Sequence, residues 1–314
     1  MRGELFRQRA QPAFGIFAHA RIVATLGSAL VPHPLRIGLK LSQQVHPIEA
    51  QREAWRIADR AGFDHIWPFD HLIALGNDPT KLIFDGWTIL GAVAENTKRA
   101  RIGLNVTGNL YRHPGLLAKI AVTVDHLSGG RLEMGIGAAW NEPEFTMYGL
   151  PFPGAADRIR MLDEACRVLK ALWTEERATF KGRFYQLDAA IAEPKPVQKP
   201  HPPIWIGGSG PKRTLRVVAK HADVWNSNAP TPDQTHALVK ILDEHCAKVG
   251  RDPATIRRSH QIRVEKEDDA LRIGETALRA GFSELLLFPF AGGDLRTGVE
   301  RAAALLPRMR ALTR

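Results

Sequence analysis

The chain has 314 residues, of which 44% are hydrophobic and 24% are charged, and its formal net charge at pH 7 is +10. This composition is ordinary for a globular protein and excludes a disordered or fibrous chain. The length suits one large domain or two smaller ones and is too short for three. No block of Lys and Arg is interleaved with aromatic residues, so the basic surplus favours an anionic small ligand or a solvated surface, with no nucleic-acid partner.

Residues 1–33 differ from the rest of the chain. They combine a basic start with an interrupted apolar run and small residues near Ser28, a weak imitation of a secretory signal. No stretch approaches the roughly 20 apolar residues of a membrane span, so no membrane contact is expected. We interpret residues 1–33 as an N-terminal extension, disordered or wrongly started, and residues 34–314 as one domain. A secretory signal stays open as the alternative.

The two cysteines, Cys166 and Cys246, lie in segments of helical periodicity. They form no C-x-x-C motif and have no histidine at a zinc-ligand spacing, so we expect neither a disulfide scaffold nor a metal site. This cysteine usage, with the weak N-terminal signal, favours the cytoplasm.

From residue 35 onward, short β-rich apolar runs alternate with segments of helical periodicity. Such alternation predicts βα units around a parallel sheet. The predicted strands lie in LRIGLKLS, FDHIWPFDH, RARIGLNVTGN, RLEMGIG, PIWIGG, ADVWNS, SHQIRV and ELLLFP. Eight strands with intervening helices predict an α/β fold, a (β/α)8 TIM barrel.

Proline and glycine mark where the elements begin and end. The first predicted helix begins near Pro47 and ends at Gly62, and a later one has Pro114 in its first turn. A further helix covers residues 155–173. Alternating aromatics around Lys181–Gly182 then predict a small hairpin inserted between strands four and five.

The segment GRLEMGIGAAWNEPEF, residues 130–145, ends strand four on Gly-x-Gly. A dinucleotide-binding fingerprint would need a third glycine opening a helix, whereas Asn-Glu-Pro at 141–143 predicts a broken helix. In a barrel this stretch reaches the catalytic face. We expect Gly135 and Gly137 to let a flat ligand approach the backbone, and Asn141 to contact a heterocycle edge. Glycines at a tight corner and a capping Asn are the alternative.

Polar side chains also follow strands two and three. Asp70 and His71 follow the second strand, and Asn105, Thr107 and Asn109 follow the third. Each alone is as easily a loop cap or a solvated residue. Because the carboxyl ends of barrel strands converge on one mouth, together they predict a ligand site.

After strand five, IWIGGSGPKRTLR places four small residues before a helix: Gly207, Gly208, Ser209 and Gly210. Lys212 and Arg213 are expected in the first turn of that helix. Backbone N–H groups, the helix dipole and two cations predict a phosphate site, and a tight turn with exposed basic residues is the alternative. Neither G-x-S-x-G nor a P-loop is present, so hydrolase and nucleoside-triphosphatase functions are not expected.

The chain resembles the bacterial luciferase-like superfamily, especially its coenzyme F420-dependent actinobacterial branch. The resemblance rests on GFDHIWPFDHL, VTGNLYRHPGLLAKIAVTVDHLSGGRLEMGIGAAWNEPEFTMYG, FKGRFYQL and PKPVQKPHPPIWIGGSGPKRTLRVVAKHADVWN. It runs from Leu35 to Asn226 and resumes at AGFSELLLF, whereas residues 1–33 have no counterpart in it.

The resemblance implies a barrel mouth that holds a flavin or deazaflavin. The phosphate role falls to Gly207, Gly208, Ser209, Gly210 and Arg213. Asp70, Thr107 and Asn141 match polar contacts to the cofactor. A non-prolyl cis peptide behind the ring system would fall at Asn105–Val106.

The resemblance also assigns His71 to the reactive centre, where it would exchange a proton with substrate while hydride moves. One departure concerns Ala138, since the dehydrogenase members have a glutamate there, and this puts alcohol or sugar-phosphate oxidation in doubt. Trp140, with Trp67 or Phe69, would instead narrow an apolar substrate pocket.

The leading hypothesis is an oxidoreductase that transfers hydride between coenzyme F420 and an unidentified small organic substrate. Three alternatives stay open: a monooxygenase using reduced FMN and oxygen, a non-catalytic cofactor-binding protein, and a sugar-phosphate isomerase or lyase barrel, for which Gly292–Gly293 near strand eight is the best support. The resemblance further implies a homodimer.

Overall fold

The computed structural model describes residues 33–227, 232–263, 266–289 and 294–312. The predicted N-terminal extension, apart from His33, therefore lies outside the described residues, and so does Gly292–Gly293.

Nine strands form the barrel wall and two form a separate hairpin. In chain order they are β1 Arg36–Leu39, β2 His65–Ile66, β3 Arg101–Gly103, β4 Thr107–Gly108, β5 Leu132–Gly137, β6 Ala178–Lys181, β7 Gln186–Ala190, β8 Ile204–Gly207, β9 Val224–Ser227, β10 Arg257–Ile262 and β11 Glu284–Leu287. The order in the wall is β3-β2-β1-β11-β10-β9-β8-β5, and β3 pairs with β5 to close it. β4 continues the third barrel strand beyond a bulge, so the barrel counts eight parallel strands.

The (β/α)8 TIM barrel that the sequence predicted is thereby confirmed, with the β6–β7 hairpin between the fourth and fifth barrel strands. The hairpin is antiparallel. The carboxylate of Glu164 accepts hydrogen bonds from the backbone N–H groups of Arg183, Phe184 and Tyr185, at 2.9, 2.9 and 3.1 Å. These bonds fasten the turn of the insertion to a helix on the outside of the barrel.

The helices surround the wall. They are α1 Ile48–Ala61, α2 Gly86–Asn96, α3 Pro114–Leu127, α4 Glu142–Met147, α5 Ala155–Thr174, α6 Thr214–His221, α7 Pro232–Val249, α8 Glu267–Arg279 and α9 Leu295–Ala311. α1 follows Pro47 and ends at Gly62, whose φ of 91° is left-handed and accessible to glycine at little cost. None of the helices in the described ranges is long and apolar enough to cross a membrane.

Two local expectations about helices were wrong. Residues 141–143 were predicted to break the helix, but α4 begins at Glu142 with Pro143 in its first turn, where a missing N–H costs nothing. Lys212 and Arg213 were predicted inside the first turn of the helix after strand five. They precede α6, with Arg213 as its flanking residue.

The barrel interior is filled by aromatic and ionic side chains at the end opposite the mouth. Trp67 and Trp205 are fully buried there, with ring centroids 4.5 Å apart, and Val224 and Leu286 complete the apolar cluster. Trp67 therefore does not line the mouth, and its predicted place in the substrate pocket is corrected: it directly follows β2, and its ring is buried in the packed interior.

Candidate functional site

A cavity of about 1310 Å³ opens at the carboxyl ends of the barrel strands. Its wall combines residues that follow nearly every strand, so the mouth is one continuous site. Ten of the sequence-predicted residues lie in this wall: Phe69, Asp70, His71, Asn105, Val106, Gly137, Ala138, Trp140, Gly207 and Gly208.

Between β3 and β4 the backbone bulges toward β5, which is the fourth strand of the barrel. The peptide bond Asn105–Val106 is cis, at the position that the resemblance implied. A Cβ atom on Gly135 would collide with the carbonyl oxygen of Leu104, and one on Gly137 would lie 2.9 Å from Val106 Cγ2. The two glycines therefore make room for this bulge. Gly135 was expected to let a flat ligand approach the backbone. This expectation is corrected, because the bulge fills the space beside Gly135.

His71 faces the cavity and its orientation is set by Glu144. His71 Nδ1 lies 2.8 Å from Glu144 Oε1, and the other carboxylate oxygen accepts the Leu72 N–H at 2.8 Å. Tyr111 Oη donates to Glu144 Oε1 at 2.5 Å. Glu144 is fully buried, so this histidine, tyrosine and glutamate form a fixed cluster beside the cavity.

The charge state of Glu144 determines which proton His71 carries. Burial alone would raise the pKa of Glu144, but hydrogen bonds from His71, Tyr111 and Leu72 outweigh it and hold the pKa below its ordinary value. Burial and the hydrogen bond to Glu144 raise the pKa of Tyr111, so the phenol keeps its proton. An ionised carboxylate only accepts, hence His71 Nδ1 donates, and Nε2 is the nitrogen that can exchange a proton.

A second buried carboxylate, Asp70, lies in the cavity wall. Its Oδ2 accepts hydrogen bonds from Thr107 Oγ1 and from Arg112, the latter at 2.7 Å, and Arg112 also pairs with Asp85 at 2.6 Å. Burial raises the pKa of Asp70 despite the Arg112 charge. Thr107 itself is fully buried behind Asp70 and outside the cavity wall. The structure thus gives Thr107 the role of holding Asp70.

The loop after β8 leads into α6. Gly208 has a φ of 129°. Its N–H donates to Asn226 O at 3.2 Å, and its carbonyl oxygen accepts a hydrogen bond from Trp225 Nε1 at 2.9 Å. Gly207, Gly208 and the first helical residue Thr214 line the cavity. Four other predicted cofactor contacts lie outside the cavity wall: Asn141, Ser209, Gly210 and Arg213. Gly210 and Arg213 are exposed at the rim.

Sequence reasoning missed the partners of His71. Tyr111 and Glu144 are 40 and 73 residues away from it along the chain. Nothing in a single sequence pairs residues at such separations. The sequence offered one signal, which was Glu144 itself, six positions after Ala138. It lies in α4, where the sequence analysis expected no helix.

Comparison with known proteins gives a family. A family model described as luciferase-like monooxygenase matches residues 14–296, beginning inside the segment predicted as an extension. An F420-dependent glucose-6-phosphate dehydrogenase of Beutenbergia cavernae is 30% identical over 288 residues, 89% of this chain and 83% of that protein. One from Microbacterium testaceum is 31% identical over 243 residues, 75% and 70% of the two chains.

An uncharacterized protein of Mycobacterium tuberculosis is 37% identical over 179 residues, 57% of this chain. The match covers 62% of that relative, less than two thirds of its length.

Solved structures share the fold. An F420-dependent secondary alcohol dehydrogenase with an F420-acetone adduct aligns with a TM-score of 0.76 at 20% identity, covering 88% of this chain and 99% of that one. The F420-dependent tetrahydromethanopterin reductase of Methanopyrus kandleri aligns with a TM-score of 0.74 at 18% identity, covering 88% and 100%. At these identities the likeness concerns the fold. Because the family model matches most of its length, the chain belongs to the luciferase-like monooxygenase family.

Proposed function

We propose that this protein is a coenzyme F420-dependent oxidoreductase that transfers hydride between the deazaflavin and a small organic substrate. The observation that carries the proposal is a cavity-facing histidine, His71, held in one tautomer by a buried carboxylate. Two relatives at 30% and 31% identity, each named as an F420-dependent enzyme, support the cofactor.

The residues of the cavity fit such a cofactor. Ligand pockets usually measure roughly 300–1,000 Å³, so the cavity of about 1310 Å³ has room for a cofactor and a substrate. Asp70 Oδ1 and Asn105 Nδ2 are buried and have no hydrogen-bond partner within the described chain. Unpaired buried polar atoms are costly, so a polar ligand at this wall would relieve them.

Each part of the wall would then have its own role. Gly207 and Gly208 would hold the phosphate, because their backbone lies at the cavity before the N-terminus of α6. Asp70 and Asn105 would contact the polar groups of the cofactor, and Val106 in the bulge would support its ring system.

When bound, coenzyme F420 supplies a two-electron hydride acceptor or donor. His71 Nε2 would exchange the accompanying proton with a heteroatom of the substrate, while Glu144 holds the imidazole in place. Phe69 and Trp140 give this end of the cavity aromatic walls. Glu144 does not occupy the place of the family glutamate at Ala138: it binds the far nitrogen of His71 and lies outside the cavity wall.

The test is a fluorescence titration of the purified protein with coenzyme F420 and, separately, with FMN. We expect micromolar or tighter binding of F420 and much weaker binding of FMN. Preferential binding of FMN would assign the protein to the oxygen-using monooxygenases, and binding of neither would contradict a cofactor role. Turnover assays with alcohols and glucose 6-phosphate then measure which substrates the protein oxidises with alanine at position 138.

The oligomeric state and the location remain predictions. We propose a homodimer in the cytoplasm. Light scattering of the purified chain tests the first part, since a mass near 34.8 kDa at all concentrations would contradict a dimer.

A further inference from the structure

A second polar region of the cavity wall lies at the carboxyl ends of β1, β11 and β10. Lys40 follows β1, Gln261 and Arg263 belong to the end of β10 and the residue after it, and Phe288 follows β11. These four residues are called the basic wall. In the closed strand order, β1 is four strands from β8 and β10 is two strands from it, so Lys40 lies opposite the loop at Gly207 and Arg263 lies nearer to that loop.

Two cations of the basic wall surround one aromatic ring. Lys40 Nζ and Arg263 Cζ each lie 4.9 Å from the centroid of the Phe288 ring. Lys40 Nζ also donates to Gln261 Oε1 at 3.1 Å, and Gln261 in turn donates to Asn226 Oδ1 at 2.7 Å. The network thus fixes the ammonium group at the cavity while using one of its three protons.

Neither cation is neutralised in the described part of the chain: no carboxylate there forms an ion pair with Lys40 or Arg263. Of the other arginines in the cavity wall, Arg272 pairs with Asp269 at 3.3 Å, whereas Arg158 donates to Pro153 O at 2.8 Å and lies over the Phe152 ring. Burial, followed by the charge of Arg263, lowers the pKa of Lys40 to about 8. A bound anion would offset both effects, because its charge attracts both cations.

We propose that the basic wall is an oxyanion subsite that binds the carboxylate or phosphate group of the substrate. The inference rests on the proposed function, because it places the substrate between this subsite and His71. β1 and β2 are neighbouring strands, so Lys40 and His71 follow adjacent strands and line the same cavity. A ligand anchored at Lys40 reaches His71 without crossing the phosphate loop.

The other residues of the cavity wall indicate the chemistry of the rest of the substrate. Phe69, Trp140 and Ile273 line the same cavity and give it apolar surface. The substrate class is therefore an organic acid or phosphate monoester with an apolar or aromatic body. The acidic tail of F420 is another source of carboxylates, but Lys40, which follows the strand next to the one before His71, lies four strands from the phosphate loop where that tail would start.

The subsite can be tested without the cofactor. Benzoate and phenyl phosphate are titrated into the purified full-length protein by calorimetry, with benzyl alcohol as the uncharged comparison. We expect at least one of the two anions to bind tenfold or more tightly than the alcohol. Lys40→Met and Arg263→Met should each abolish this preference, whereas Arg272→Gln, in the same cavity but ion-paired, should keep it.

Equal affinity for anions and alcohol, or no measurable binding of either anion, overturns the subsite. So does a preference that both methionine variants retain. Titration of Lys40→Met with F420 distinguishes an anion of the substrate from the acidic tail of the cofactor. Unchanged F420 affinity supports a substrate subsite, and a tenfold loss assigns the basic wall to the cofactor tail. Failure of F420 to bind the wild-type protein would contradict the proposed function and leave the benzoate result intact.

Discussion

His71 illustrates how a single side chain acquires a defined chemical role. Its imidazole could present either nitrogen to the cavity, and the hydrogen bond to Glu144 selects Nε2. Because Tyr111 donates to the same carboxylate, the acceptor stays ionised and in place. Within this cluster His71 and Tyr111 line the cavity and Glu144 does not, so Glu144 is a positioning residue.

We expect His71→Ala to bind coenzyme F420 almost as the wild-type protein does and to slow hydride transfer ~10²-fold or more, the usual scale for a lost general acid or base. Glu144→Gln should also lower kcat, by a smaller factor, with the KM nearly unchanged, because it disturbs the orientation of the imidazole and not the cavity wall. Single-turnover kinetics with the two variants measure this. A rate unaffected by His71→Ala would remove this residue from the mechanism.

Gly208 provides a test of the phosphate loop. We expect Gly208→Asp to weaken F420 binding at least tenfold, about 1.4 kcal/mol, because a negative charge then opposes the phosphate. Any side chain is strained at a φ of 129° and would approach Thr214 Cγ2 to 3.0 Å. Gly208→Ala is therefore the matched control, and equal losses in the two variants would show that strain, not charge, is responsible.

The sequence predicted which strand ends carry the site but not how the side chains there are paired. Asp70, His71 and Gly207 could be placed because parallel strands bring their carboxyl ends to one mouth. Thr107 and Trp67 were misjudged because the direction of a side chain at a bulge or at a strand end depends on packing. The pairing of His71 with Glu144 depends on tertiary structure alone.

At the scale of elements, prediction succeeded where one residue suffices to end a helix and failed where the local context decides. Gly62 ends α1 because its left-handed φ suits glycine. The proline at 143 was taken to prevent a helix, yet its position within the element makes it a good start. The hairpin was predictable from its alternation, whereas its fastening by Glu164 was not.

Asp59 is the clearest case of one side chain joining several elements. From α1, its carboxylate accepts the backbone N–H groups of Lys98, Arg99 and Ala100, at 3.0, 3.0 and 2.7 Å, just before β3. Burial opposes ionisation of Asp59, but these three bonds outweigh it and lower the pKa. One carboxylate thus sets where the third strand enters the barrel.

We expect Asp59→Asn to reduce the free energy of unfolding by about 1–3 kcal/mol, because an amide cannot accept all three bonds and leaves a donor unpaired. Chemical denaturation at neutral pH measures the loss. Asp78→Asn, a change in an exposed loop, should alter stability little. Equal stability of the wild-type protein and Asp59→Asn would contradict this account.

Over the whole molecule, the two ends of the barrel contain contrasting charge arrangements. At the mouth, Lys40 and Arg263 have no carboxylate partner in the described chain. At the floor, His65 lies between two buried carboxylates, 3.8 Å from Glu133 and 3.6 Å from Glu284. The cations near the mouth are thus available to a ligand, while Arg101 and Arg257 at the floor are neutralised by Glu133 and Glu284 and are structural.

The floor makes the stability of the whole barrel sensitive to acid. Burial would raise the pKa of Glu133, but contact with His65 and the charges of Arg101 and Arg257 outweigh it and hold the pKa far below its ordinary value. A carboxylate with a depressed pKa stabilises the fold above its unfolded-state pKa, and the contribution is lost as the pH falls toward the folded-state value. The free energy of unfolding should therefore decline below pH 4.5, the ordinary value for a glutamate.

Glu133→Gln should cost about 3–5 kcal/mol at neutral pH, because it leaves buried cations without their counter-charge. It should also flatten the acid dependence, since the group that takes up the proton is gone. Denaturation followed from pH 7 to pH 3 tests both effects, with Glu275→Gln, from the exposed pair with Arg279, as the control. If Glu133→Gln kept the acid dependence of the wild-type protein, the carboxylates responsible would lie elsewhere than in the barrel floor.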